Sequence, residues 1–349
     1  MPKYWMISNR AFENGLPGGG RGDLSYWISD SGPLDNFKNW KSVPHDDFKN
    51  LLITAANQFP TFKHDDHEQQ SHVSFFVHGY NNGWDDAARR YEKFCADLFI
   101  GADGLGLCIS YDWPSMGSVV DYLPDREHAR QCANDLAQVL SELYDGLLDR
   151  QQATFKDGSQ ACKAKVSMVA HSMGNYVLQK AMAAAWTRKN QPLLVSLINQ
   201  LVMVAADVDN DLFESDASDG SDGDAIANLT YRVTALYSGR DAVLGASAGL
   251  KHFGVRRLGR SGLAASPPSN KDNVWDVDCS SFFPASVSGT DTHSAYFGPY
   301  QTIPLIREIL RGIDRSVLST LGRTADTAWS DSLKNTTIPV PSSPAQPGS

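Results

Sequence analysis

The sequence predicts a doubly wound α/β fold with a mostly parallel sheet and an N-terminal antiparallel strand pair. From residue 73 onward, apolar runs alternate with segments that carry apolar residues at helical spacing. The runs are almost continuously apolar, which is typical of strands buried on both faces of a parallel sheet. The predicted strands are Val73–Val77, Leu107–Tyr111, Lys165–Ala170, Leu201–Ala206, Tyr231–Tyr237 and Val274–Val277.

The beginning of the chain has a different pattern, in which two aromatic-rich runs flank a glycine-rich stretch. Tyr4–Ser8 and Leu24–Ser29 predict two antiparallel strands, and the stretch LPGGGRGD at residues 16–23 is interpreted as the turn between them. A short helix is expected near Phe48–Phe59. The sequence leaves two roles open for the strand pair, which either covers a sheet edge or forms a dimer contact. The oligomeric state is not predicted.

Four further helices are predicted from apolar residues spaced three and four positions apart. The clearest of them covers residues 126–148. The others cover Trp84–Leu98, follow Ser172 directly, and begin near Pro304, where proline suits a first helical turn. Helices of this kind between buried strands complete the α/β pattern.

The 349 residues are expected to form one domain over residues 1–322, followed by a tail. Within the domain, residues 1–65 hold the strand pair and a polar linker, and residues 66–322 form the core. Residues 323–349 are rich in Ser, Thr and Pro, so we predict a flexible tail. The acidic stretch at residues 214–224 is predicted to be a loop.

Composition and charge exclude several classes of partner. The formal net charge is −9 and Lys and Arg form no cluster, so neither nucleic acid nor an anionic membrane surface is expected. No apolar run approaches the roughly 20 residues that span a bilayer, and the N-terminus lacks a signal-peptide layout. The five cysteines form no CxxC pair, which predicts reduced, buried thiols. We therefore expect a cytoplasmic protein, with export without a cleaved signal as the alternative.

The most informative motif is a serine between a strand and a helix. Residues 165–174 read KVSMVAHSMG, in which an apolar strand runs into Ser172 and a helix follows at once. This context predicts a nucleophile elbow, a tight turn that exposes a strained serine. Gly174 supplies one of the two small neighbours that the turn needs, and Ala170 departs from the usual glycine by one methyl group. His171 is a candidate pocket residue. The alternative is an ordinary serine N-cap.

A second turn predicts an oxyanion hole. Residues 73–82 read VSFFVHGYNN, so that another apolar strand ends at His78 and Gly79. In sites with a nucleophile elbow, one backbone N–H comes from such a loop and the other from the residue after the nucleophile. The candidate donors are therefore the N–H groups of Tyr80 and Met173. Gly79 allows a close approach and His78 braces the loop; the alternative is a simple turn.

A serine nucleophile needs a histidine base and a carboxylate that orients it, in the chain order Ser, acid, His. Two predicted strands downstream of Ser172 end in acids, Asp207 in AADVDND and Asp241 in SGRDAVL. Asp241 is preferred, because the acid usually follows the strand before the last, and Asp207 is the alternative. Beyond both acids lie His293, the preferred base, and His252.

The remaining polar clusters predict no metal and no organic cofactor. The polar linker carries His64, Asp65, Asp66 and His67. Their spacing matches no metal site, and the acidic stretch at residues 214–224 lacks the ligand spacing of a calcium loop. The glycine run at residues 18–20 lacks the GK[ST] that follows in a phosphate loop.

Together the motifs resemble a bacterial α/β-hydrolase family long catalogued as a domain of unknown function. The matching segments, over about residues 70–310, are FVHGYNN, SYDWPSMG, a helix start with Tyr122, Asp125 and Ala129, AHSMGNYVL, VMVAADVDNDLF, YSGRDAVL and THSAYF. The resemblance implies a hydrolase fold with Ser172, Asp241 and His293 as its triad. It supplies no substrate and does not cover residues 1–65.

The leading hypothesis is therefore a serine hydrolase that cleaves a small-molecule or lipid ester through an acyl-enzyme on Ser172. Trp113 and Tyr80 are candidates for the acyl pocket, with core packing as the alternative for Trp113. Lipase, phospholipase, peptidase and acyltransferase activities use the same triad and stay open, although no long apolar lid is evident. A non-catalytic binding or scaffold protein is the alternative from another class, and the retained Ser, Asp and His argue against it.

Overall fold

A computed structural model describes residues 1–60, 70–80, 83–115, 122–157, 164–189, 196–252, 254–264 and 271–312. The residues that lie outside this description include His64, Asp65, Asp66, His67, Cys162 and the tail predicted over residues 323–349. The side chains of Tyr122 and Asp125 are also outside it.

Nine strands of the described chain form one sheet. They are β1 (Tyr4–Glu13), β2 (Leu16–Ser29), β3 (Lys41–Val43), β4 (His72–Val77), β5 (Gly106–Asp112), β6 (Lys165–His171), β7 (Ile198–Val204), β8 (Thr230–Tyr237) and β9 (Val274–Asp278). Their order across the sheet is β3-β2-β1-β5-β4-β6-β7-β8-β9. All pairs from β1–β5 to β8–β9 are parallel, and only β1–β2 and β2–β3 are antiparallel. The predicted fold class is therefore confirmed.

The helices connect these strands and cover both faces of the sheet. They are α1 (His45–Asn57), α2 (Trp84–Leu98), α3 (Tyr122–Asp157), α4 (Gly174–Lys189), α5 (Gly220–Leu229), α6 (Ala242–Ala246), α7 (Leu258–Ser261), α8 (Thr292–Ala295) and α9 (Thr302–Arg311). The predicted helices correspond to α1, α2, α3, α4 and α9, and α3 extends beyond its predicted range at both ends.

The predicted turn of the N-terminal hairpin is wrong. The glycine-rich stretch at residues 16–23 belongs to β2, and the chain reverses at Asn14 and Gly15 instead. Both turn residues have positive φ, 53° and 79°, and Glu13 pairs with Leu16 across the turn. Asn-Gly is the dipeptide that a two-residue type I′ turn favours, because both positions need φ above zero. The sequence therefore contained the correct signal, which the longer glycine run obscured.

The hairpin extends the parallel sheet at one edge. β1 pairs in parallel with β5, so that Trp5 lies opposite Ile109 and Ser8 opposite Asp112. β2 lies outside β1, and the short edge strand β3, which was not predicted, follows β2. Of the two roles expected for the strand pair, the structure shows the one at a sheet edge.

Two hydrophobic clusters fill the space between the sheet and its helices, one on each face. Alternate residues of a strand point to opposite faces, so Phe75 of β4 belongs to one cluster and Phe76 to the other. Met168 and Val169 of β6 divide in the same way. All four side chains are buried, which explains why the central strands read as continuous apolar runs.

The acidic stretch at residues 214–224 is not a loop throughout, because α5 begins at Gly220. Lys180 of α4 pairs with Asp219 at 3.4 Å and with Asp222 at 2.7 Å. Gln179 donates hydrogen bonds to the same two carboxylates at 3.0 Å. These contacts, and the favourable position of Asp222 in the first turn, allow a helix to start within an acidic run.

The described cysteines Cys95, Cys108, Cys132 and Cys279 are free and buried. Burial raises the pKa of the Cys108 thiol well above its ordinary value, as expected for an inert core thiol. Over the same described part of the chain, no helix combines the length and apolar character needed to cross a membrane.

Candidate active site

Ser172 lies in a strained turn at the centre of the sheet. β6 ends at His171 and α4 begins at Gly174, so the turn consists of Ser172 and Met173. Ser172 has a φ of 53°, in the left-handed region that costs a non-glycine residue about 1–3 kcal/mol. The surroundings hold it there: the Ser172 N–H donates to Val204 O at 3.0 Å, and the Asp207 N–H donates to Ser172 O at 3.2 Å.

Close packing around the turn explains its small neighbours. A Cβ on Gly174 would overlap the main-chain oxygens of Val77 and His78. A Cβ on Gly79 would lie 2.7 Å from Ser172 Cβ, closer than real Cβ atoms approach. Ala170, in contrast, is completely buried without such a conflict, so its methyl group is accommodated in the core.

The structure brings Ser172, His293 and Asp241 together from three separate segments. His293 Nε2 lies 2.8 Å from Ser172 Oγ, and His293 Nδ1 lies 2.7 Å from Asp241 Oδ2. Because a carboxylate only accepts, Nδ1 carries the proton and Nε2 is free to accept from the serine hydroxyl. Asp241 is fully buried and His293 is 9% exposed. The arrangement can accept a proton from a serine as it attacks.

Asp241 is held by its position at the start of a helix. It is the N-cap of α6, and its Oδ1 accepts the Leu244 N–H at 3.0 Å. Its main-chain oxygen accepts a hydrogen bond from Arg260. One carboxylate oxygen therefore binds the helix while the other binds His293, which fixes the direction of the carboxylate.

The alternative acid, Asp207, pairs with Arg257 and Ser247 instead of His293. Its Oδ1 accepts from Arg257 Nε at 2.8 Å and from Ser247 Oγ at 2.9 Å. Arg257 also donates to the Asp207 main-chain oxygen and to Asp209. Asp241, not Asp207, is the partner of His293. His252, the alternative base, is half-buried near Arg257, and burial together with that charge lowers its pKa to about 4.

His171 connects the elbow to the segment that carries His293. Arg90 Nη1 donates to His171 Nδ1 at 3.1 Å, so the proton of the neutral ring is on Nε2. His171 Nε2 in turn donates to the main-chain oxygen of His293 at 2.9 Å. Burial, together with the neighbouring His293 ring and the Arg90 guanidinium, holds the pKa of His171 well below its ordinary value. His171 is therefore a neutral support for His293, and Phe297 packs against its ring at 5.2 Å.

The two candidate oxyanion donors belong to segments next to Ser172. Met173 directly follows Ser172, and its N–H has no acceptor among the residues that the structure describes. Tyr80 is half-buried and follows Gly79, which packs against Ser172. Backbone N–H groups that point at a bound carbonyl oxygen can stabilise the negative charge that develops on it.

Trp113 and His78 form a buried stack behind the loop. Their rings are 5.4 Å apart and nearly parallel, and the Trp113 indole donates to His78 O at 2.8 Å. Trp113 is completely buried, as in the core-packing alternative, and not exposed to a pocket. The hydrogen bond of the Ser172 hydroxyl goes to His293 and not to His78.

Sequence reasoning missed the buried charged residues around the site. They are Arg10, Asp112 and Arg257, and the half-buried Arg90 was missed as well. A charged residue inside an aromatic-rich strand, such as Arg10, or at the end of an apolar strand, such as Asp112, was the available signal. Their partners are distant in sequence, so the pairings could not be read from it. Among the described side chains, no three His, Cys, Asp or Glu residues converge as metal ligands do.

Comparisons with solved structures give distant likenesses. They include a predicted CIB-like hydrolase from Thermoplasma acidophilum, with 12% identity over 88% of this chain and 100% of that chain and a TM-score of 0.33. An esterase from Pyrobaculum calidifontis has 11% identity over 69% of this chain and 76% of that chain, with a TM-score of 0.35. An acylaminoacyl peptidase from Pyrococcus horikoshii has 12% identity over 84% of this chain and 48% of that chain, with a TM-score of 0.29. Likenesses this distant carry no argument about activity.

The sequence itself gives the family. No curated protein matches the chain. Residues 54–282, however, match the family described as alpha/beta hydrolase of unknown function (DUF900). The matched range includes Ser172 and Asp241 and ends before His293. The match covers more than half of the 349 residues. The chain therefore belongs to this alpha/beta hydrolase family.

Proposed function

We propose that the protein is a serine hydrolase that cleaves carboxylic esters through an acyl-enzyme on Ser172. The observation that carries the proposal is the pair of hydrogen bonds from Ser172 Oγ to His293 and from His293 to Asp241, at 2.8 and 2.7 Å. A serine that only caps a helix needs no buried histidine and carboxylate, whereas a nucleophilic serine needs both. The strained φ of Ser172 also supports the proposal, since strain of this kind concentrates at functional sites.

In the acylation step, Ser172 Oγ attacks the carbonyl carbon and its proton moves to His293 Nε2. The carbonyl π electrons move to the oxygen, which the N–H groups of Met173 and Tyr80 stabilise. Asp241 accepts from His293 Nδ1 and stabilises the imidazolium. The C–O bond to the alcohol then breaks, the alcohol oxygen takes the proton from Nε2, and the acyl group stays on Ser172.

In the deacylation step, water attacks the acyl carbon while His293 Nε2 accepts the proton of the water. The second tetrahedral intermediate collapses, the bond to Ser172 Oγ breaks, and Nε2 returns the proton to that oxygen as the carboxylic acid leaves. Every proton transfer in both steps uses a group of this chain, the ester or the attacking water. An alcohol or amine that replaced the water would make the protein an acyltransferase.

Ser172→Ala tests the proposal with a soluble short-chain ester such as p-nitrophenyl butyrate. We expect kcat to fall by roughly 10⁴–10⁶-fold, because removal of a nucleophile leaves only residual binding and oxyanion stabilisation. Ser42→Ala is the matched control, since Ser42 is exposed on the edge strand β3, and it should keep wild-type turnover. Equal turnover by Ser172→Ala and wild type would contradict the proposal.

The same assay separates the alternatives. Turnover of a dissolved ester supports a plain esterase, whereas activity that appears only above the solubility limit of the ester supports a lipase. Transfer of the acyl group to an added alcohol, in preference to water, supports an acyltransferase. A folded wild-type protein that turns over no ester supports the scaffold alternative.

His171→Phe tests the support of the base. Phenylalanine keeps an aromatic ring against Phe297 but removes the donor to His293 O. A hydrogen bond of this kind contributes about 1 kcal/mol, so kcat/KM is expected to fall roughly five- to tenfold. His171→Gln restores an N–H donor and should recover part of the loss. An unchanged kcat/KM in His171→Phe, measured on a folded protein, would remove His171 from this role.

A further inference from the structure

The N-terminal strand pair lies outside the residues that match the family, but its first strand reaches the active site. The family match begins at residue 54, whereas β1 covers Tyr4–Glu13. Because β1 runs parallel to β5, Ser8 lies opposite Asp112, the last residue of β5. The carboxyl end of β5 is at the same edge of the sheet as the ends of β4 and β6, where His78 and Ser172 follow.

β1 supplies the donors for a buried carboxylate. Ser8 Oγ donates to Asp112 Oδ2 at 2.8 Å, and Arg10 Nε lies 2.9 and 3.0 Å from the two carboxylate oxygens. Arg10 is 2% exposed and Asp112 is 1% exposed. Burial alone would raise the pKa of Asp112, but Arg10 and His78 outweigh it and lower that pKa below its ordinary value. Asp112 is therefore a fixed negative charge that the hairpin holds in place.

Asp112 and its neighbour Trp113 fix the ring of His78. His78 Nε2 accepts a hydrogen bond from the Trp113 main-chain N–H at 3.2 Å, and it lies 3.2 Å from Asp112 Oδ1. The Trp113 ring stacks on the imidazole, and its indole N–H donates to the main-chain oxygen of the same histidine. The imidazole is completely buried, and its face, its Nε2 edge and the backbone of the same residue are all in contact with Asp112 or Trp113. These contacts hold the ring in one orientation.

That orientation determines the direction of the next peptide group. His78 Nδ1 lies 2.9 Å from Gly79 O, and because a carbonyl oxygen only accepts, Nδ1 is the donor. Gly79 O and the N–H of Tyr80 belong to one planar peptide group, in which the two bonds point in opposite directions when the peptide is trans. Fixing the carbonyl of Gly79 therefore fixes the N–H of Tyr80.

On the basis of the proposed function, we infer that the N-terminal strand pair is a positioning element of the active site. Arg10 fixes Asp112, and Asp112 together with Trp113 fixes His78. His78 then directs the Tyr80 N–H toward the carbonyl oxygen that becomes the oxyanion. A shortened chain that begins at residue 54, where the family match begins, lacks Arg10 and therefore lacks this support.

Arg10→Met tests the inference, with Arg21→Met as the matched control. Arg21 is on the neighbouring strand of the same hairpin and pairs with Asp135 at 2.8 Å, where it is 44% exposed. We expect Arg10→Met to lower kcat for a short-chain ester by roughly 10–100-fold with KM within about twofold, since an oxyanion donor acts in the transition state. Arg21→Met should leave both constants unchanged. A folded Arg10→Met protein with wild-type kcat would overturn the inference.

Two substitutions of His78 decide the question if Arg10→Met does not fold. The amide of His78→Asn occupies the place of Nδ1 and keeps a donor for Gly79 O, whereas the amide of His78→Gln reaches the place of Nε2 and loses that donor. We expect His78→Gln to have the lower kcat of the two, with KM again little changed. Equal values of kcat in the two variants would count against the positioning of the loop.

A readout without turnover separates this inference from the proposed function. Hydrogen exchange of the amides of residues 78–80, followed by mass spectrometry, should accelerate in Arg10→Met or in His78→Gln, and not in Arg21→Met. If the wild type turns over no ester but the exchange changes as expected, the proposed function is wrong. The inference that Arg10 positions residues 78–80 is then still supported. If exchange at residues 78–80 is unaffected in all variants, that inference is wrong.

Discussion

His293→Ala is expected to lower kcat/KM for a soluble ester by roughly 10⁴–10⁶-fold while the protein stays folded. The alanine variant has no group that can accept the Ser172 proton, since His293 Nε2 is the partner of the serine hydroxyl at 2.8 Å. Steady-state kinetics measures the loss, and the rate of acylation should fall with it. Thermal unfolding shows whether the variant is folded.

His252→Ala is the matched control for the base. His252 is the other histidine downstream of both candidate acids, and it lies near Arg257. Its replacement should leave kcat/KM within about tenfold of wild type, because general base catalysis by His293 is kept. If His252→Ala lost the activity and His293→Ala kept it, the base would be assigned to the wrong residue.

Arg257→Met is expected to lower the free energy of unfolding by roughly 3–5 kcal/mol, which is the cost of leaving a buried charge without its partner. Arg257 has no exposed surface, and its Nε donates to Asp207 Oδ1 at 2.8 Å. It also pairs with Asp209. Without the guanidinium, the carboxylate of Asp207 stays buried next to the turn that holds Ser172. Urea-induced unfolding measures the effect.

Arg130→Met is the control for this prediction. Arg130 is 62% exposed and pairs with Glu127 at 3.0 Å on the surface of α3. Water and salt screen an exposed pair of this kind, so the free energy of unfolding should change little. If the two substitutions lowered the free energy of unfolding by similar amounts, burial would not be the reason that the Arg257 ion pairs stabilise the protein.

The central part of the fold could be predicted because its strands are buried on both faces. β4 and β6 read as apolar runs since helices cover each side of the sheet, and Phe75 and Phe76 fill opposite clusters. The hairpin was located but its turn was placed wrongly, at the glycines of β2 and not at Asn14 and Gly15. β3 has only three residues, which is too short for a pattern to appear.

The candidate site could be predicted from chain order and local context. The strand, turn and helix around Ser172 predict a nucleophile elbow, and the order of segments favours Asp241 and His293 over Asp207 and His252. The contacts at 2.8 and 2.7 Å support that choice.

The supporting residues could not be predicted, because their interactions join distant segments. Arg10 and Asp112 are 102 positions apart, and Arg90 is 81 positions from His171. Nothing in the local sequence of Arg10 indicates that its partner is Asp112, the last residue of β5. Only the sheet order, in which β1 lies beside β5, brings the two together.

Labelling with a fluorophosphonate, followed by peptide mapping with mass spectrometry, tests the central claim most directly. The probe forms a bond from its phosphorus to an activated serine oxygen and releases fluoride, so it reports the nucleophile without knowledge of the substrate. We expect a single adduct on Ser172 in the wild type, none in Ser172→Ala, and much slower labelling in His293→Ala. An adduct on another residue, or no adduct on a folded wild-type protein, would contradict the assignment of Ser172 as the nucleophile.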